Sequence, residues 1–149
     1  MFRFPLEPLL RYRRQKEDTE KYELANRVRS MQAIQNNLEM IEKKAANITV
    51  AAKKQMTSPG VTMPIIAWYS NYLDQLRRLR AATRDKLAQA ETETESQRKK
   101  LIKASVDRKI IERFKEIKRQ AYYDDEAKKE QKTIDEINTL RAGRKDEKN

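Results

Sequence analysis

Ser58-Pro59-Gly60-Val61-Thr62-Met63-Pro64 holds every proline and glycine found between Pro8 and Gly143. Proline removes a backbone donor and clashes with the preceding turn, and glycine is the residue that bends most easily. The stretch therefore divides one long helical pattern into two. The reading is an all-α fold, an antiparallel two-helix coiled-coil hairpin with unequal arms, the second helix longer. Expected bounds are a helix over about 6–57, a turn at 58–64 and a helix over about 65–142, with a disordered tail at 143–149, all in a single coiled-coil domain. Pro64 belongs in a first helical turn, where its missing donor costs nothing, with Thr62 or Met63 as N-cap and Gly143 as stop.

Composition supports a seam rather than a thick core. Ala, Glu, Lys, Leu and Arg make up 75 of 149 residues, while Leu, Ile, Val and Phe total 29. That apolar content at a net charge of +11 would suit a disordered chain, but a narrow coiled-coil seam needs few apolar residues. The chain has no Cys and no His, which removes disulfides, thiolate and imidazole chemistry and the usual zinc ligand sets. No apolar run approaches the ~20 residues of a membrane span, and Met1 to Glu7 has no signal-peptide apolar region. A cytoplasmic protein is expected.

In the first arm Met31, Ile34, Leu38, Ile41, Ala45, Ile48 and Ala52 alternate spacings of three and four, which buries one stripe against another helix. The same register run backward meets Leu24, Leu10 and Leu6 but also Arg27, Glu20, Glu17 and Arg13. The seam is thus sound near the turn and poor toward the N-terminus. The second arm keeps one register from Ile66 through Leu76, Thr83, Thr94, Gln97 and Ala104 to Ile111, after which its apolar phase drifts to Ile110, Phe114, Ile117 and Ala121. At ~1.5 Å per residue the arms are roughly 75 and 115 Å long. Folding back at Val61 places Leu10 near Glu112 and leaves about Lys115 to Leu140 without a partner on the first arm.

Four constellations carry candidate chemistry. Trp68, Tyr69 and Tyr72 precede Leu73, Leu76 and Leu79. The turn folds over Trp68, or an exposed patch docks a partner, or both hold, with Trp68 and Tyr69 structural and Tyr72 and Leu79 exposed. Arg77 to Arg119 holds 15 Lys/Arg against 7 Asp/Glu, a solvated helix face or an attraction for acidic protein or membrane surfaces. Interleaved acids and the lack of base-stacking aromatics argue against nucleic acid. Paired carboxylates such as Asp124-Asp125 and Asp135-Glu136 exist, but Asp124 and Asp125 have lysine partners four residues on, Lys128 and Lys129, and a thin rod offers no water-poor cleft. With two glycines no phosphate loop can form. An enzyme is not expected, nor a cofactor or a metal. Lastly, Asp124 to Glu136 carries dense charge of both signs on the expected overhang.

The opening Phe2-x-Phe4-x-Leu6-x-x-Leu9-Leu10-Arg11-x-Arg13, with Glu17 and Leu24, resembles the N-terminus of the flagellar export protein FliJ family. Arg108-Lys109-x-x-Glu112 and Glu126-x-x-x-x-Gln131-Lys132-x-x-Asp135-Glu136 resemble its C-terminal pattern, so the likeness spans nearly the whole chain. The resemblance implies a two-helix stalk, similar to that of rotary ATPases, whose chain ends enter a hexameric export ATPase. It also implies contacts with a membrane-embedded export gate and with export chaperones, and so peripheral membrane association through partners at the flagellar base. On this likeness Phe4, Leu6, Leu9, Leu10, Glu126, Gln131, Lys132, Asp135 and Glu136 are the candidate ATPase contacts, and Tyr72, Leu76 and Leu79 the candidate gate contacts. Rival readings are a basic coiled coil that coats nucleic acid or anionic membrane, a homodimeric rod, and the equivalent stalk of a virulence secretion system.

Overall fold

The computed structural model describes the backbone of residues 1–146 and the side chains of residues 1–139. Helices α1 (Glu7–Met56, 50 residues) and α2 (Met63–Asp146, 84 residues) pack against each other as a helical hairpin, with no strand among the described residues. The turn is built from the residues that open the sequence argument. Thr57 Oγ1 and Ser58 Oγ donate to the Lys54 carbonyl at 2.9 and 3.1 Å, which satisfies an acceptor that the end of α1 leaves free. Gly60 sits at φ +89°, a left-handed conformation that any side chain would strain. The Thr62 carbonyl accepts from Ile65 and Ile66 and so starts α2, with Pro64 in the turn that needs no donor.

Contacts divide the chain into two compact units, Asp18–Ile102 and Met1–Glu17 with the residues from Lys103. In the first, Ile41, Ala52 and Leu76 are buried, all on the expected register. Farther from the turn the seam turns polar without opening. Thr83 and Thr94 are buried, each hydroxyl donating to a carbonyl one turn back at 2.8 Å. Buried Gln97 donates to the Glu20 carboxylate, Arg27 pairs with Glu93 at 2.8 Å and Arg84 with Glu42 at 2.9 Å. The descending order of α1 partners against ascending α2 partners makes the pairing antiparallel.

The second unit pairs the start of α1 with the later part of α2. Leu10 is 0% exposed and lines one small cavity with Glu112, as folding back at Val61 requires. Phe4 and Ala104 are also buried in this unit. The rest is ionic. Buried Glu17 accepts from Arg108, which also pairs with Glu112, while Arg13 meets Asp107 at 2.9 Å and Lys115 meets Glu7 at 2.7 Å. The poor N-terminal seam is therefore a polar seam with its charges matched across the helices.

Three expectations change. The α2 seam does not drift to Ile110, Phe114 and Ile117. It keeps its register through Ala104, Arg108, Ile111 and Lys115, which are buried or half-buried, because α1 supplies carboxylates for the two cations. Lys115 is not where pairing ends, since residues Met1 to Phe4 reach as far as Tyr122; the unbroken run of exposed residues begins only at 127. Gly143 does not stop α2, which continues to Asp146. One glycine costs only about 1 kcal/mol relative to Ala in a helix. The remaining expected tail, 147–149, lies outside the described residues.

Leu10→Ala should lower unfolding free energy by about 2–5 kcal/mol, against about 1 kcal/mol or less for the exposed Leu9→Ala. Urea melts followed by circular dichroism read this directly, and equal losses would place Leu10 outside the core. Arg108→Leu takes the guanidinium from a buried carboxylate and should cost about 3 kcal/mol, most of it recovered in the Glu17→Leu/Arg108→Leu double variant. Additive losses in that double-mutant cycle would show that the two side chains do not meet.

Candidate functional site

The N-terminal motif splits into structural and exposed members. The Phe4 ring packs on Phe114 at 6.0 Å, with Lys115 Nζ 5.9 Å from its centre. Phe2 packs on Tyr122 at 5.8 Å, and the Met1 amino group donates to the Tyr122 hydroxyl at 2.9 Å. Phe4 and Leu10 thus hold the N-terminal segment in place, whereas Leu6 and Leu9 stand at the surface. Leu6, Phe2, Phe114, Ala121 and Tyr122 line an open groove of ≈ 670 Å³ that Lys118 and Asp125 border. The hydrogen bond from Lys115, helped by its charge and by those of Arg11 and Arg14, holds the Glu7 carboxyl below the usual Glu range.

The C-terminal motif is presented differently. Glu126 is half-buried, and Gln131, Lys132, Asp135 and Glu136 are exposed. Gln131 donates to Asp135 at 3.0 Å, while Lys129 meets Asp125 at 2.7 Å and Glu126 at 3.4 Å. The Lys129 hydrogen bond holds the Asp125 carboxyl below its ordinary value, and Asp125 in turn raises the Lys129 ammonium. Lys132, Asp135, Glu136 and Thr139 share one face of α2. These pairs all lie within one helix, so they keep the segment helical and leave its surface solvated. Among the described residues no hydrogen bond or ion pair joins this set to the N-terminal one.

In the unit around the turn the aromatic cluster is open to solvent. Trp68 is 57% exposed, stacked on Tyr72 at 5.5 Å and 11° and edge-on to Tyr69 at 5.0 Å. The turn does not fold over Trp68, because α2 begins only five residues before it. Tyr72, Leu76 and Leu79 do come together, lining a groove of ≈ 240 Å³ with Met40, Ile41 and Lys44 of α1. Leu76, 6% exposed, forms the floor, and Leu79, 51% exposed, the rim. Met40 and Lys44 were missed in the sequence, because the α1 register marks only Ile41 of this group as facing α2.

Two antiparallel helices with a charged seam, an aromatic patch and a solvated helix face define a coiled-coil protein whose candidate sites are surfaces for other molecules. The chain belongs to the FliJ family, described as Flagellar FliJ protein, whose profile matches residues 2–147. No curated protein and no solved structure matches it. The family is a non-catalytic component of flagellar protein export, and membership associates the chain with that machinery. No helix among the described residues is long and apolar enough to cross a membrane.

The Glu7–Lys115 pair yields a pH prediction. A carboxyl held low in the folded state adds stability above its unfolded value, near 4.3, and loses it as pH falls through the folded value. Carbon NMR of the Glu7 carboxyl should therefore show a midpoint below 4.3 that rises in Lys115→Met. A midpoint unmoved by that substitution would mean that the pair does not persist in solution.

Proposed function

We propose that this chain is a non-enzymatic stalk and adaptor of the flagellar export apparatus. It would insert into the hexameric export ATPase and link it to the export gate and to substrate-carrying chaperones. The observation that carries the proposal is the family match over residues 2–147, which includes both terminal motifs and the aromatic patch. The ATPase contact rests on Leu6 and Leu9 together with Glu126, Gln131, Lys132, Asp135 and Glu136; Phe4 and Leu10 act through the packing that positions the N-terminal segment. A solvated helix with both signs of charge suits a complementary polar socket, since its side chains need no desolvation until a partner supplies counter-charges. By binding the assembled ring, such a stalk shifts ring assembly by mass action.

The gate contact rests on Tyr72 and Leu79, with Leu76 supporting them from beneath. Stacked Trp68 and Tyr72 give a rigid aromatic anchor of the kind that dominates protein interfaces. These contacts would place the protein in the cytoplasm at the flagellar base, held near the membrane by its partners.

Replacing Lys132, Asp135 and Glu136 together by Ala should lower co-elution with the purified export ATPase at least about ten-fold, while Tyr72→Ala/Leu79→Ala retains it. The second variant should instead lose binding to the soluble part of the gate protein. Unchanged ATPase turnover and co-elution for the parent chain, or loss of both interactions in both variants, would overturn the assignment.

A further inference from the structure

Since the α2 seam holds its register through Arg108 and Lys115, a set of apolar side chains is left outside it. Val106, Ile110, Phe114, Ile117 and Ala121 recur at spacings of four, four, three and four, and all five are exposed. Ile110 is 59% exposed and Ile117 54%. At 3.6 residues per turn these five occupy an arc of about 80°, centred roughly 130° from the Ala104–Lys115 edge that meets α1. The stripe is about 22 Å long on the helical rise. Val106, Ile110 and Ile117 make a ridge turned away from α1, while Phe114 and Ala121 toward its edge also line the groove shared with Phe2 and Leu6, with Phe114 packed on Phe4.

The ridge has a charged border. Lys109 and Arg113 stand on one side and Lys118 on the other, exposed and without an ion pair among the described residues. Lys118 Nζ lies 5.5 Å from the centre of the Phe114 ring, its stem along the apolar surface. Two nearby acids are paired elsewhere, Glu116 with Arg119 at 2.9 Å and Asp107 with Arg13, whereas Asp124 accepts from the neutral Gln120 at 2.8 Å and stands beside Ile117 and Ala121. A convex apolar stripe edged by long cationic side chains matches a flat anionic surface with an apolar layer beneath it. A partner helix would instead be best held by a concave groove, and a nucleic acid would leave the isoleucines solvated.

We infer that this ridge of α2 binds directly to the surface of an anionic lipid bilayer, with Ile110, Phe114 and Ile117 entering the interface and Lys109, Arg113 and Lys118 meeting lipid phosphates. The inference names none of the ATPase or gate residues, although Phe114 packs on Phe4 and shares a groove with Leu6. A protein carried to the membrane by this ridge would need its other partners only for orientation.

Flotation of the full-length chain with phosphatidylcholine vesicles containing about a third phosphatidylglycerol tests it. Binding is expected to these vesicles and not to pure phosphatidylcholine, and to weaken as salt rises from about 0.1 to 0.5 M. Ile110→Asp/Ile117→Asp should reduce binding at least about ten-fold by removing the buried apolar area, and Lys109→Gln/Arg113→Gln/Lys118→Gln should reduce it comparably by removing the charge. Both sets lie on the exposed face, and circular dichroism of each should match the parent. Lack of parent binding would overturn the inference. So would equal binding of the isoleucine variant, the signature of charge attraction by the chain as a whole, or tight capture by heparin or single-stranded DNA that the isoleucine variant leaves intact while vesicles are ignored.

Discussion

The contact between Glu17 and Arg108 decides how the N-terminal unit pairs. A two-helix seam is one side chain thick, so each position must be apolar, small or satisfied by its opposite. Glu17 lies in that seam and is buried, and a guanidinium that reaches it makes a carboxylate there tolerable. Arg108 takes the position, and the phase of α2 follows. Lys115 comes next against Glu7, Phe114 falls beside Phe4, and Ile110 and Ile117 turn outward. This contact, together with Glu7–Lys115 and the packing of Phe4 and Leu10, orients the N-terminal segment and leaves Ile110 and Ile117 exposed.

Such a seam favours correct pairing more than it adds stability. Buried ion pairs recover little beyond their desolvation cost, whereas a mismatched register leaves a buried charge without its partner. The matched pairs Arg13–Asp107, Glu17–Arg108 and Glu7–Lys115 each oppose a one-turn slip in their unit. Near the turn the apolar seam of Ile41, Ala52 and Leu76 does the same by shape. Specificity and adhesion are therefore supplied by different stretches of the same two helices. This division leaves aromatic and aliphatic side chains available outside the seam.

The charge balance has a second consequence. A net charge of +11 resists self-association and draws the chain toward acidic surfaces. Many of its cations are spent on seam contacts and on pairs within a helix, so the available positive charge concentrates where acids are already engaged. The ridge of α2 is one such place. The solvated face around Lys132, Asp135 and Glu136 carries both signs and suits a polar protein partner instead.

The sequence by itself determined the two helices and the turn, because proline and glycine act locally and a period of three and four needs no partner to be seen. Ile41, Ala52, Leu76 and Ala104 were legible as core for the same reason, and the likeness of the terminal motifs to the FliJ family marked the candidate surfaces. Tertiary structure alone decided the rest. Whether Arg108 or Ile110 faces α1 depends on the residue across the seam, and one strand of sequence does not contain that neighbour. For the same reason only the packed helices showed Phe4 and Leu10 to be anchors, Leu6 and Leu9 to be open, and Met40 and Lys44 to complete the groove around Leu76. Periodicity says that a face exists; pairing says what it meets.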